Sequence, residues 1–266
     1  MDFKSKVMAH LGSYKRDVLG SWQDGCFGGR EYSHILCDSE REKNLSLIPN
    51  DAYEIEGSVL KFAKIEHAPI KLHTNWHHLN SSQILCVSYF YKFMENSDLL
   101  RAFCEHYGLD EPSCAELEYV TGDSTNVDFT IHLKNGGHIF FEVKYTEQCF
   151  GGVSLERKSR SRDEVTEIYQ KRYEKYYKSV KISEENYLKH YQVVRNISLS
   201  PIESSNTTIF LIPRGNESIC RSLESGLCSI ENRERFRAIT IYWEELLTGA
   251  FGDTAVLQKY FDFDKK

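Results

Sequence analysis

No stretch of this 266-residue chain has the uninterrupted apolar length that a membrane span needs, and its first residues, Met1-Asp-Phe-Lys-Ser-Lys6, lack the apolar block of a secretory signal. Low-complexity tracts and internal repeats are missing as well. These absences argue against membrane and repeat classes and make a cytoplasmic location the default expectation. No C-x-x-C pair occurs; the eight cysteines are scattered, so they are expected to be reduced and mostly buried rather than a disulfide framework or a zinc site. His73 and His77 stand at i, i+4 spacing beside His78, but no Glu or third ligand follows in the pattern a metalloprotease uses, and zinc is the weaker reading.

An excess of positive charge is also lacking. The net charge of -6 argues against an indiscriminate polyanion binder, because nucleic-acid affinity comes largely from neutralising phosphates. The charge is unevenly spread, however, and Lys and Arg outnumber acids between Arg157 and Lys181. Arg157, Lys158, Arg160, Arg162, Lys171 and Arg172 are therefore candidates for a phosphate-tracking arm; the alternative is a solvated helix with ion pairs such as Glu167 with Lys171. Tyr169, Tyr173, Tyr176 and Tyr177 interleave with these charges, either to stack on bases or as the buried stripe of a helix.

What the chain does have is a hydrophobic fraction of 41% and a charged fraction of 27%, ordinary for a globular protein large enough to bury a sizeable core. One domain spanning 1–266 is expected, with 1–75 as an N-terminal elaboration of irregular structure and one or two helices. Helices are expected at about 76–93, capped by Thr74 or Asn75, from Ser97 or Asp98 to Gly108, and at 183–196. Strands are expected at 115–120, 127–133, 138–144, 207–212 and 238–243. Strands bracketed by helices give an α/β fold with a mixed central β-sheet flanked by helices.

The chemistry concentrates in one hairpin. Val127-Asp-Phe-Thr-Ile-His-Leu133 and His138-Ile-Phe-Phe-Glu-Val-Lys144 read as two strands joined by Lys134-Asn-Gly-Gly137. Side chains alternate along a strand, so Glu142 and Lys144 share a face, and the apolar set of Val127, Phe129, Ile131 and Leu133 leaves Asp128 on the face of Thr130 and His132. A three-residue loop at 135–137 would pair Lys134 with His138 and Asp128 with Lys144, with Glu142 on the diagonal; an even loop would split the cluster between faces. An odd loop, or a bulge restoring its parity, is the expectation.

Two carboxylates and an amine on one surface suit metal-assisted hydrolysis. Magnesium or manganese takes oxygen ligands, which Asp128, Glu142 and the Val143 carbonyl can supply, while the Lys144 ammonium holds the nucleophile or offsets developing charge. Glu118, in the preceding strand, is either an extra ligand or part of an exposed face with Glu116. Glu147 either binds a second ion or holds Lys144. Asp123 is a rival to Asp128, though its Gly-Asp-Ser-Thr setting is turn chemistry.

The pattern Asn126-Val-Asp128 followed by Phe-Glu142-Val-Lys144 resembles the PD-(D/E)XK, or restriction-endonuclease-like, phosphodiesterase superfamily, with Val127 in place of the proline of its name. Three further segments resemble one bacterial branch of it: His78-Leu-Asn-Ser-Ser-Gln83, Lys144-Tyr-Thr-Glu147 and Tyr191-Gln-Val-Val-Arg-Asn196. The resemblance spans roughly residues 76 to 245 and implies that Asp128 and Glu142 bind the metal and Lys144 assists the attack. It also makes a site-facing role plausible for Gln192 and Arg195, against the plainer reading of a helix that positions the sheet. The function expected is a Mg2+- or Mn2+-dependent endonuclease acting on DNA, with RNA as the alternative substrate. A catalytically silent nucleic-acid-binding module and a protein-interaction domain on the same fold are the competing readings.

Overall fold

The computed structural model describes residues 1–122, 124–154 and 161–263. In chain order its regular elements are α1 (Phe3–Asp17), β1 (Asp24–Phe27), β2 (Arg30–Leu36), β3 (Tyr53–Glu56), β4 (Val59–Phe62), β5 (Ile70–Lys71), α2 (Ser82–Glu95), α3 (Ser97–His106), β6 (Pro112–Val120), β7 (Asn126–Leu133), β8 (His138–Val143), α4 (Arg162–Arg172), α5 (Glu184–Lys189), α6 (Tyr191–Ile197), β9 (Thr207–Ile212), α7 (Glu217–Cys228), β10 (Ala238–Tyr242), α8 (Trp243–Thr248) and α9 (Thr254–Tyr260). The expected α/β class is what forms, with a five-stranded mixed sheet in the order β10-β9-β8-β7-β6 and helices on both faces. Strands β8, β9 and β10 run parallel, whereas β7 and β6 are antiparallel additions.

Alternation along the strands divides the core in two. Phe129, Ile131, Ile139, Phe141, Val143, Ile209 and Leu211 face a cluster supplied by α1, α2, α3, α8 and α9. Phe210 and Ile212 face a second cluster built with Tyr187 of α5, Val193, Val194 and Ile197 of α6, and Ile219 and Leu223 of α7. The β9 strand, Thr-Thr-Ile-Phe-Leu-Ile, is buried at every position, as a strand covered on both faces must be. Phe90 of α2 stacks on Phe129 with ring centroids 4.0 Å apart, joining helix to sheet beneath the hairpin.

Several sequence expectations shift. Residues 1–75 are more ordered than irregular structure: α1 is followed by the β1–β2 hairpin and a three-stranded β3-β4-β5 sheet. The helix expected from 76 begins six residues later at Ser82, because Ser81 rather than Thr74 or Asn75 caps it by accepting from Ile84 N. The helix expected at 183–196 is two helices, broken where His190 leaves helical geometry at φ -113° and ψ 29°. Among the cysteines, only Cys86 and Cys104 are buried; Cys26, Cys114, Cys149 and Cys228 are exposed, and all eight are free. No helix among the described residues is long and apolar enough to cross a membrane.

The decisive hairpin has the odd loop but not the expected register. Leu133 N donates to Gly137 O at 2.9 Å and Gly136 N to Leu133 O at 3.1 Å, so the loop is residues 134–136, with Gly136 at φ +83°. Phe129 then pairs with Phe141 and His132 with His138, which slides the register by two residues and sets Asp128 across from Glu142, with Lys144 on the diagonal. A slip of two keeps every side chain on its face, so the cluster survives. Gly137 permits this loop to sit against residue 205, where an added Cβ would lie 2.6 Å from the Ser205 Cβ and carbonyl oxygen. Gly137→Ala should therefore destabilise the protein by about 1–3 kcal/mol, read as a lowered midpoint in urea unfolding.

Candidate active site

The carboxylates of Glu118, Asp128 and Glu142 come from one row across β6, β7 and β8. Leu117 pairs with Phe129 and Tyr119 with Val127, so Glu118 stands across from Asp128 on one side while Glu142 stands across on the other. Glu142 lies on the sheet face that α6 covers, near the end of β8, which has the antiparallel β7 on one edge and the parallel β9 on the other.

Glu142 is the most enclosed of the three acids. Its Oε1 accepts from Lys144 Nζ; its Oε2 accepts from Asn196 Nδ2 at 2.6 Å and from Arg195 at 3.3 Å. The Glu142 and Lys144 side chains are only 6% and 12% exposed. Burial alone would favour the neutral carboxyl, but Lys144 and then Arg195 outweigh it and hold Glu142 below its ordinary pKa. The same charges act on Lys144: burial opposes its ammonium, while Glu142, Asp128 and Glu147 more than compensate and hold its pKa above the usual value.

Asp128 has the opposite balance. Burial first, and then the neighbouring Glu142 charge, push its carboxyl up to about 8, against the lowering effects of Lys144 and of the Val143 amide. That amide donates to Asp128 Oδ2 at 2.6 Å. Since the N–H and C=O of one strand residue leave on the same edge, the Val143 carbonyl belongs to the Asp128 side of β8 as well. Oxygen donors thus collect at one point, the kind of setting a hard cation takes.

The remaining candidates divide. Glu118 adopts a left-handed backbone at φ +52° within β6, and its carboxylate accepts from Gln83 Nε2 at 2.8 Å and from Asn126. Gln83 is in turn fixed by accepting from His73 N at 2.9 Å, so α2 reaches the row through an amide. Glu147 turns back to accept from Tyr145 N at 2.6 Å, bracing the exit of β8 rather than bonding Lys144. Gln192 stays out of the cluster: it exchanges hydrogen bonds with Gly151, whose N donates to its Oε1 at 3.1 Å and whose carbonyl accepts from its N at 3.1 Å. Arg195, three residues on, does reach Glu142.

Asn196 is the residue that sequence reasoning passed over. It was legible only as the last letter of the Tyr191 to Asn196 motif, and its role depends on α6 crossing the sheet face. Its side-chain oxygen accepts from Arg195 Nε at 3.1 Å, which joins both residues into one clamp on Glu142.

Residues 9–263 match a family model described as Restriction Endonuclease associating with ARP. The chain belongs to this family. The match covers nearly the whole chain, including every element of the central sheet, and places the protein among restriction-endonuclease-like nucleases. No curated protein and no solved structure matches it significantly.

The basic arm of this restriction-endonuclease family member is described only in part. Arg157, Lys158 and Arg160 lie outside the described residues, as does Asp123. Arg162 is exposed at the start of α4, and Lys171 is exposed but paired with Glu167 at 2.6 Å. Arg172 lies over the Tyr169 ring at 5.3 Å and donates to the Tyr191 hydroxyl at 3.3 Å. The tyrosines mostly pack: Tyr177 is buried, Tyr173 donates to Val180 O at 2.6 Å, and Tyr169 meets Tyr191 edge-on at 4.8 Å, leaving Tyr176 the exposed one. The three histidines are not on a helix, and no group of three His, Cys, Asp or Glu side chains that could hold a metal ion occurs among the described residues.

The raised Asp128 pKa has a sign that can be tested. The folded state binds this proton more tightly than the unfolded chain does, so without divalent cations stability falls as pH rises from the ordinary 3.8 through about 8, and the loss is complete above that. Asp128→Asn should flatten this decline in urea midpoints measured across that range in EDTA. An unchanged slope in the variant would remove Asp128 as its source.

Proposed function

We propose that the protein is a Mg2+- or Mn2+-dependent phosphodiesterase of the PD-(D/E)XK type that cleaves DNA as an endonuclease, the whole chain acting as one nuclease domain with 1–75 packed onto it. The observation that carries this reading is the opposition of Asp128 and Glu142 on neighbouring strands, with Lys144, two residues further along the chain, bonded to Glu142. The family description, which names a restriction endonuclease, supports DNA as the substrate. The donor set fits a hard divalent ion, because Asp128, Glu142 and the Val143 carbonyl offer oxygen only, and a bound cation would offset the burial and the Glu142 charge that together hold the Asp128 proton.

A bound ion would polarise the scissile phosphoryl group and acidify a water ligand. Asp128 and Glu142 would hold it. Asn196 and Arg195 orient one oxygen of Glu142, while Lys144 and then Arg195 keep it ionised. Lys144, protonated and 12% exposed, would position the attacking oxygen and offset the charge that grows on the phosphoryl oxygens. Phe150, whose ring lies 5.6 Å from the Lys144 ammonium, helps screen that charge from water.

Nicking of supercoiled plasmid, with Mg2+ or Mn2+ against EDTA, tests this. Lys144→Ala should lose at least about a hundredfold in rate while retaining the fold and Mn2+ binding by calorimetry. Asp128→Ala and Glu142→Ala should lose both cleavage and Mn2+ binding. A Lys144→Ala protein that nicks at the wild-type rate would refute the assigned role. Salt-dependent DNA binding without any metal-dependent nicking would instead favour a silent binding module, and a salt slope near zero would favour a protein-interaction domain.

A further inference from the structure

Two of the motif segments lie against each other through residues that the hydrolytic reading does not use. Asn80 Nδ2 donates to Thr146 Oγ1 at 2.9 Å, which joins the segment before α2 to the run that leaves Lys144. Between them opens a cleft of about 260 Å3 lined by His78, Asn80, Thr146 and Glu147, with Lys4 and His73 also in its walls. Thr146 follows Lys144 by two residues, so the cleft adjoins the candidate active site along the chain.

Two polar atoms of the lining residues, His78 Nε2 and Asn80 Oδ1, are shielded from solvent and lack a hydrogen-bond partner among the described residues. Shielded polar atoms are normally paired, so the cleft is a place where an incoming group with both a donor and an acceptor completes an existing deficit. A backbone phosphodiester, having only acceptors, leaves Asn80 Oδ1 unmatched. A nucleobase edge carries donors and acceptors side by side.

An aromatic face is also at hand. Phe27 at the tip of the β1–β2 hairpin is 50% exposed, and its ring meets His78 edge-on at 5.1 Å. The turn beyond it uses Gly28 and Gly29 at φ +59° and +78°, with open space around both. The hairpin is fixed to the cleft wall: Leu36 N donates to His77 O at 3.2 Å, and Leu79 N to His34 O at 3.0 Å. Asn44 Nδ2 anchors the same wall by donating to Trp76 O at 2.6 Å and His78 O at 3.0 Å. Burial, followed by the neighbouring His77 and His34, pushes the His78 pKa down to about 4, so at neutral pH its ring carries one N–H and one lone pair.

We propose that this cleft, with Phe27 packed on its His78 wall as the stacking surface, receives one unstacked nucleobase of the DNA strand beside the cleavage position, while Lys4 meets the attached phosphate. The inference rests on DNA being the substrate and goes beyond it by naming a base-extrusion subsite. Unstacking costs least at a mismatch, so occupancy is greatest there.

The test uses the full chain in EDTA and fluorescein-labelled duplexes, one fully paired and one with 2-aminopurine at a mismatch. Anisotropy reads binding, and 2-aminopurine emission reads unstacking. Wild-type protein should raise the emission on binding the mismatched duplex. Phe27→Ala should abolish that rise and weaken the mismatched duplex about fivefold or more, with the paired duplex changed less than about twofold. His78→Ala, checked for folding by circular dichroism, should also suppress the rise. Binding without any emission change, or equal rises in wild type and Phe27→Ala, overturns the subsite alone. No anisotropy change with either duplex overturns the DNA reading and the subsite together.

Discussion

A carboxylate buried beneath α6, Glu142, can stay ionised only because three neighbours compensate for its lost hydration, and this requirement shapes the centre of the molecule. Lys144 takes one oxygen, and Asn196 and Arg195 take the other. An ionised side chain left alone at that depth would neutralise instead. Asp128 shows the consequence of weaker compensation, since its main charged neighbour is the like-charged Glu142 and its proton is correspondingly hard to remove. The pair therefore combines one carboxylate held charged with another held near neutrality, a contrast typical of functional sites.

The fold supplies that arrangement through the position of β8 in the sheet. Being central, β8 has β7 on one edge to bring Asp128 opposite and β9 on the other to support its far side. Its odd-numbered residues anchor in the apolar cluster under α2, which fixes the even-numbered ones toward α6. Beyond the strand, Trp243 Nε1 donates to Lys144 O at 3.2 Å, and Asn216 Nδ2 donates to Tyr145 O and Glu147 O at 3.1 and 2.9 Å. The chain leaving the site is thus pinned by polar contacts from α7 and α8, so Lys144 and the cleft at Thr146 are held in a common frame.

Glu118 adds a strained element to the same row. A left-handed glutamate inside a strand costs on the order of 1–3 kcal/mol and persists only when its surroundings over-determine it. Here Gln83 and Asn126 provide that constraint by bonding its carboxylate. The Glu118 carboxylate is thereby engaged by Gln83 and Asn126, and no three-carboxylate cage forms among the described residues.

Much of this was legible in the sequence because it depends on local periodicity. The alternation in 127–133 and 138–144 determined which residues share a face, keeping the three charged residues on one face required an odd loop or a bulge, and 207–212 read as a strand. Those signals survive a two-residue slip, so the facial partnership of Asp128, Glu142 and Lys144 was secure even though their register was not. What tertiary structure alone decided is which residues answer the buried charge. Arg195 and Asn196 are more than fifty positions from Glu142, Gln192 turns to Gly151 instead, and Phe27 meets His78 across an equally long separation. Sequence spacing fixes neighbours only within an element; the partners of a desolvated group are set by how separate elements pack, and that is a property of the whole chain.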